Sequence, residues 1–263
     1  MAKKLFIDDL KRKVEVDWPP KRIISLVPSI SETLYDLGLR DEVVGITRFC
    51  IHPKEWHTNK KRVGGTKDFR LDDIASLEPD LVIANKEENN KELLEKLAET
   101  TPVWVSDIAT IEHAYTLIYD LGQLIDRVHT AEKLLLETKR SWNSISRSTE
   151  GLKVLYLIWK EPWMCAGKGT YIDSTLTALG FKNAVRDTRY PTLSIQDISG
   201  YEPDVIMLSS EPYPFKDKHI QEIKRHIDLG RVFLVDGEAF SWYGSRMLKS
   251  TPIFQEMLNS LSE

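Results

Sequence analysis

Residues 71–85 read LDDIASLEPDLVIAN, and residues 195–209 read IQDISGYEPDVIMLS. The two stretches align without a gap: Asp73, Ile74, Glu78, Pro79 and Asp80 recur as Asp197, Ile198, Glu202, Pro203 and Asp204, each 124 positions on. Solenoid repeats have periods of roughly 20 to 50 residues, so this spacing marks two lobes built to one plan. Each copy passes from a short helical stretch through a Pro-Asp turn into an apolar strand.

Around the first copy, PPKRIISLVPSISETLYDLGL (19–39) reads as strand, loop and helix. Ile23 to Val27 suits a strand buried on both faces, Ser29 with Glu32 three residues later predicts a capping box, and Gly38 ends the helix. Strands follow near Val43–Thr47, at DLVIA (80–84) and at PVWVSD (102–107), with a short helix over Asp72–Leu77. The second lobe repeats the grammar: strand KVLYLIW (153–159), a capping box from Thr170 and Asp173, a helix ending at Gly180, the short helix again, then strands DVIML (204–208) and RVFLVDG (231–237). Strands alternating with helices, without a tight hairpin signal, predict an α/β fold of two Rossmann-like lobes with parallel sheets. The lobes are expected at 1–128 and 151–263.

Residues 129–150 are expected to join them as one long backbone α-helix. In TAEKLLLETKRSWNSIS (130–146), Ala131, Leu134, Leu135, Thr138, Trp142 and Ile145 fall on one helical face, with charged residues opposite and no Gly or Pro. A flexible linker would be rich in Gly, Ser or Pro instead. A helical tie limits hinge closure, so a largely preformed cleft is expected.

Composition narrows the function. Of 263 residues, 41% are hydrophobic, enough for a core in each lobe, and 36 basic against 40 acidic residues give a net charge of −4 without a basic block. Nucleic acid is therefore a poor partner, and a small molecule or another protein a better one. The two cysteines, Cys50 and Cys165, make no disulfide framework. The lysines at the start meet DD before an apolar core of 7–15 residues develops, so no signal peptide is read. As written, the chain is expected in the cytoplasm; with an export signal removed it would be periplasmic. No stretch suits membrane embedding, and a monomer is expected.

Three motifs in order resemble one known family. KRKVEVDWPPKRIISLVPSISETLYDLGLRDEVVGIT (11–47) resembles the opening of the helical-backbone substrate-binding proteins that serve ABC importers of cobalamin and ferric siderophores; RVGGTKDFRLDDIASLEPDLVIA (62–84) resembles its second signature, and the likeness continues through GEAFSWYGSRML (237–248). The cobalamin-binding branch is the nearest likeness. The resemblance implies a non-enzymatic protein that binds a corrinoid or other metal chelate between its lobes and needs no cofactor. It also implies a pair of acidic residues, one per short helix, that dock on arginines of a two-fold permease. The matching positions are Asp72 and Gln196; the second lacks the carboxylate, and the adjacent Asp197 is the substitute.

In two-lobed α/β proteins ligands lie beyond the carboxyl ends of the strands. The loops there are PSIS (28–31), RFCIHP (48–53), GGTKD (64–68), WKEPWMCAGKG (159–169), RYP (189–191) and GEAFSWYG (237–244). They supply the candidate ligand-binding residues Ser29, Phe49, Cys50, His52, Trp159, Trp163, Tyr190, Phe240, Trp242 and Tyr243, an aromatic set suited to a flat macrocycle. Trp104 and Trp142, within a strand and a helix, are expected in cores. Cys50 and His52 are both metal donors, but two donors do not make a site; His52 is the better axial ligand for a metal already chelated. Ser29 and Ser31 sit in no G-x-S-x-G elbow and read as helix caps, and Gly64–Gly65 lacks a phosphate-loop pattern. The rival reading is a cytosolic enzyme or chaperone acting on such a ligand, with Cys50, His52 or a cleft carboxylate in the chemistry. Against the enzyme stands the lack of any nucleophile–base–orienter set. A third reading is a regulatory partner that keeps the fold without the ligand.

Overall fold

The computed structural model describes residues 2–147, 151–226 and 231–262. They fall into two compact units: Met1–Ile108 with His113–Lys139 and Tyr243–Arg246, and Ala109–Glu112 with Arg140–Trp242 and Met247–Glu263.

The first unit opens with an antiparallel hairpin, β1 (Ala2–Ile7) and β2 (Lys13–Trp18). Five parallel strands follow: β3 (Ile23–Ser25), β4 (Val43–Ile46), β5 (Lys61–Arg62), β6 (Leu81–Asn85) and β7 (Val103–Ser106), in the order β5-β4-β3-β6-β7. The connecting helices are α1 (Pro28–Asp36), α2 (Lys54–Asn59), α3 (Leu71–Ala75) and α4 (Lys91–Ala98), followed by most of α5 (Ile111–Leu124) and most of α6 (Val128–Asn143). Ile24, Leu26, Val82, Ala84 and Val105 from the strands pack on Ile74, Leu94 and Leu97.

The second unit holds β8 (Lys153–Trp159), β9 (Trp163–Cys165), α7 (Tyr171–Ala178), β10 (Lys182–Asn183), β11 (Thr192–Leu193), a 3-10 helix (Ile195–Tyr201), β12 (Val205–Ser209), α8 (Asp217–His226), β13 (Arg231–Val235), α9 (Gly237–Ser241) and nearly all of α10 (Arg246–Ser262). Its sheet runs β11-β9-β8-β12-β13, with β10 also on β8. The β8, β10, β12 and β13 pairings are parallel, but β8–β9 and β9–β11 are antiparallel. The α/β class with parallel sheets holds, whereas the expected absence of hairpins does not. In the first hairpin Val14 and Val16 alternate inward; in the second a turn at Lys160–Pro162 reverses the chain, with Glu161 at φ 68°.

The repeated stretch has a structural cause. Glu78 and Glu202 both take positive φ, 45° and 47°, turning the chain so that the following Asp meets the start of the neighbouring strand. Asp80 accepts the backbone N–H groups of Lys21 at 2.6 Å and Arg22 at 2.9 Å, and Asp204 accepts that of Lys153 at 2.7 Å. Each carboxylate thereby sets the register between a central strand, β6 or β12, and its parallel neighbour, β3 or β8.

Of the two expected capping boxes, one forms by half and the other not at all. Thr170 caps α7, its hydroxyl accepting the Asp173 N–H at 3.1 Å, while the Asp173 carboxylate takes Lys168 and Asn183. The Ser29–Glu32 box does not form: Val27 precedes α1 without a side-chain cap, Ser29 lies inside the helix, and Glu32 accepts from Arg246 Nε at 2.8 Å. Proline at the first position of α1 needs no cap for its missing N–H, which leaves Ser29 and Ser31 free for other contacts. On α6, Ala131, Thr138 and Trp142 are buried, as the periodicity predicts, and Leu136 is exposed. The helix ends at Asn143; residues 148–150, at the end of the expected tie, lie outside the described residues. No described helix is long and apolar enough to cross a membrane.

Candidate functional site

At the carboxyl edge of the first sheet, the loops are locked by side chains bonded to backbone. Asn85 Oδ1 accepts the N–H groups of Glu87 at 2.8 Å and Glu88 at 3.1 Å, closing the turn after β6. Asn89 Nδ2 ties that turn to the carbonyls of Leu26 at 3.1 Å and Thr66 at 2.9 Å. The Asp68 carboxylate lies over Gly65, 2.1 Å from where a Cβ would stand, and takes Arg48 at 3.0 Å. On this frame Phe49 stands out, 48% exposed, with Ile51 beside it in sequence also exposed and the Arg48 guanidinium 5.0 Å from the Phe49 ring.

Beneath the loops is a buried polar chain. Ser31 Oγ donates to Cys50 Sγ at 3.1 Å and lies 2.8 Å from Ser25 Oγ, and Thr47 Oγ1 is 3.1 Å from the same sulfur. Burial pushes the Cys50 thiol up despite these bonds, so Cys50 packs as a neutral thiol and does not face outward. Tyr243, also buried, donates to Glu88 Oε1 at 2.8 Å. Burial, then the Glu88 charge, holds its phenol well above its usual value, with the Ser29 and Ser106 hydroxyls as further neighbours. Ser29 Oγ is buried and makes no hydrogen bond of normal geometry among the described residues. His52 is half-buried, and no described group of three or more His, Cys, Asp or Glu side chains is placed to hold a metal ion.

In the second unit, Trp159 ends β8 and is 39% exposed, its ring edge-on to Tyr213 at 5.7 Å. Tyr190 is half-buried, with the Arg189 guanidinium 5.9 Å from its ring. Trp163 and Phe240 are different from the expectation. Trp163, on the inner face of β9, stacks on Phe215 at 5.9 Å within the core, and Phe240, 1% exposed, packs on Tyr156 and Phe254. Both are core residues: Trp163 and Cys165 share the buried face of β9, and Phe240 on α9 packs on Tyr156 of β8. Trp242 is buried, its indole N–H bonded to Glu211 Oε1 at 2.8 Å.

The segment EPYPFKDKH (211–219), after the carboxyl end of β12, brings Tyr213, Phe215 and His219 to this edge, residues absent from the sequence-derived set. Its signal was present: a strand end followed by two prolines and two aromatics. In the short helical stretches, Asp72, Gln196 and Asp197 are all exposed. Asp197 completes a capping box with Ser194, accepting its N–H at 2.8 Å, and the carboxyl is held below its usual range by that bond.

The aligned relatives agree with this architecture. The chain is 27% identical to the uncharacterized ABC transporter substrate-binding lipoprotein YvrC of Bacillus subtilis, over 96% of this chain and 84% of that one. It is 27% identical to the vitamin B12-binding protein of Vibrio parahaemolyticus, over 73% of this chain and 71% of that one. Among solved structures, the periplasmic heme-binding protein RhuT from Roseiflexus sp. RS-1 superposes with a TM-score of 0.78 at 21% identity, over 90% of this chain and 99% of that one. The profile of the periplasmic binding protein family matches residues 23–231. The chain therefore belongs to the periplasmic binding protein family, whose members bind a solute without transforming it.

Proposed function

We propose that this protein is the substrate-binding component of an ABC importer and carries a metal-chelate macrocycle, a corrinoid or a heme. The observation that carries the reading is the exposure of Phe49 and Trp159 at the carboxyl edges of the two sheets, where most other aromatics are buried. An exposed aromatic on a braced loop offers a flat apolar face without an ordering cost at the moment of binding. Relatives named for vitamin B12 and for heme support the ligand class.

In this reading Phe49, His52, Trp159 and Tyr190 contact the ligand, and Ser29, Cys50, Trp242 and Tyr243 support those contacts from below. His52 is the donor for an open axial position. Asp72, Gln196 and Asp197 face the permease, and residues 129–150 tie lobes at 1–128 and 151–263. The protein works outside the cytoplasmic membrane, in line with its likeness to YvrC, a substrate-binding lipoprotein. Isothermal titration with cyanocobalamin, hemin and a ferric siderophore tests the reading: saturable one-to-one binding of one of the first two supports it, and binding of none, or of the siderophore alone, refutes it.

A further inference from the structure

Trp159 does not stand alone. Its ring rests edge-on against Tyr213, Tyr213 lies 4.7 Å from Phe215, and Phe215 stacks on the buried Trp163 at an interplanar angle of 13°. An exposed ring is thus connected to the core through the loop that follows β12, and its direction depends on how that loop is held.

His219 holds it. The side chain is 2% exposed; its Nδ1 accepts the Lys216 N–H at 2.9 Å, its Nε2 lies 3.4 Å from the Tyr213 hydroxyl, and its ring sits 5.5 Å from that of Tyr213 and 5.4 Å from that of Phe215. His219 is the third residue of α8. That is the position from which Glu or Gln reaches back to the N–H before a helix in a capping box. An imidazole can do this only when neutral, with Nδ1 as the acceptor and the proton on Nε2, toward Tyr213.

We propose that His219 is the positioning residue for the Trp159–Tyr213 aromatic pair and presents it to a flat ligand only while the imidazole is neutral. This rests on the reading above that Trp159 contacts the ligand. The charged and titratable groups around His219 are Lys160 on the β8–β9 turn, Lys218 and Glu222 on its own helix, and Tyr213 on the loop. Lys160 is itself tied to Glu222 at 2.5 Å. Burial first, then Lys160 and Lys218, hold the imidazole below its ordinary value. A depressed value means the arrangement is complete above the ordinary histidine range, near about 6.5, and is lost as pH falls through the lowered value. In acid, Nδ1–H would face the Lys216 N–H, donor against donor.

The test compares wild type, His219→Ala, His219→Gln and Trp159→Ala, with cyanocobalamin and hemin as probes. Glutamine keeps an acceptor at the capping position but does not titrate. The inference expects His219→Ala to bind about tenfold more weakly and His219→Gln to bind like wild type at pH 7. It also expects acid to weaken wild type more than His219→Gln, the axial donor His52 being common to both. Equal affinity of His219→Ala and wild type, with Trp159→Ala impaired, overturns the positioning role and leaves the proposed function standing. If neither probe binds wild type, the ligand reading fails instead. The inference is then judged on the free protein, by the Tyr213 ring resonances in NMR over a pH titration. A shift that follows His219 ionisation in wild type and is absent in His219→Gln sustains it; no shift overturns it.

Discussion

Glu211 holds Trp242 in place: its Oε1 accepts the indole N–H at 2.8 Å and the Ser241 hydroxyl at the same distance. The room for this comes from Gly237, where a Cβ would lie 2.5 Å from Glu211 Cγ and 2.5 Å from Ser209 Oγ. Burial raises the Glu211 carboxyl, the two hydrogen bonds lower it in part, and Glu238 and Asp236 add to the rise.

Removing the acceptor therefore differs from removing the charge. Glu211→Ala strands a buried indole N–H and should cost about 1–3 kcal/mol in thermal or urea unfolding. Glu211→Gln keeps the oxygen. Because the folded carboxyl is raised, its contribution to stability is greatest in acid and falls as pH climbs through the raised value, so the Gln variant should match or exceed wild type at pH 8. A Gln variant as weak as the Ala variant at that pH contradicts this account of the site.

The strand-start clamps predict a paired effect. Asp80→Ala leaves the Lys21 and Arg22 N–H groups without their carboxylate, and Asp204→Ala does the same to Lys153. Each should lower stability by about 1–3 kcal/mol, with Asp80 the more costly for its two bonds. Chemical denaturation of the two single variants checks the order.

Asp120, on α5, gives a sharp pH test. Burial, and secondarily Asp9, push its carboxyl from its ordinary 3.8 up to about 6, with Lys11 opposing. A raised folded value means the folded state holds its proton longer, so stability declines as pH rises between about 4 and 6. Asp120→Asn should be neutral at pH 4 and stabilising by about 1 kcal/mol at pH 8, a modest gain because the side chain remains partly solvated. Melting temperatures at the two pH values decide it.

The parts of the fold legible in the sequence are those fixed by local pattern. The 124-residue repeat, the parallel strands of the first sheet and the apolar face of α6 each depend on spacing along a single stretch. What escaped depends on partners far away in sequence. Glu32 reads as a capping residue until Arg246 is brought to it, 214 positions on. Trp163 reads as a loop aromatic until EPWMC folds back as β9 and lays it on Phe215. The first hairpin carried a signal of its own, Val14 and Val16 alternating with Lys13, Glu15 and Asp17, but strand pairing with Ala2–Ile7 supplied the evidence. For the candidate site, residue type was legible and direction was not: Phe49 and Trp159 face solvent, whereas Phe240 does not.

That contrast yields the most direct measurement of the account, in which stability and affinity are read side by side in Phe49→Ala, Trp159→Ala and Phe240→Ala during titration of tryptophan fluorescence with cyanocobalamin and with hemin. Phe240→Ala should lose about 3–5 kcal/mol of stability, as a buried aromatic does. The two exposed variants should unfold like wild type yet bind whichever macrocycle the wild type takes about tenfold more weakly. Full affinity in both Phe49→Ala and Trp159→Ala, or no saturable binding of either macrocycle by wild type, would contradict the claim that these edges hold a flat metal chelate.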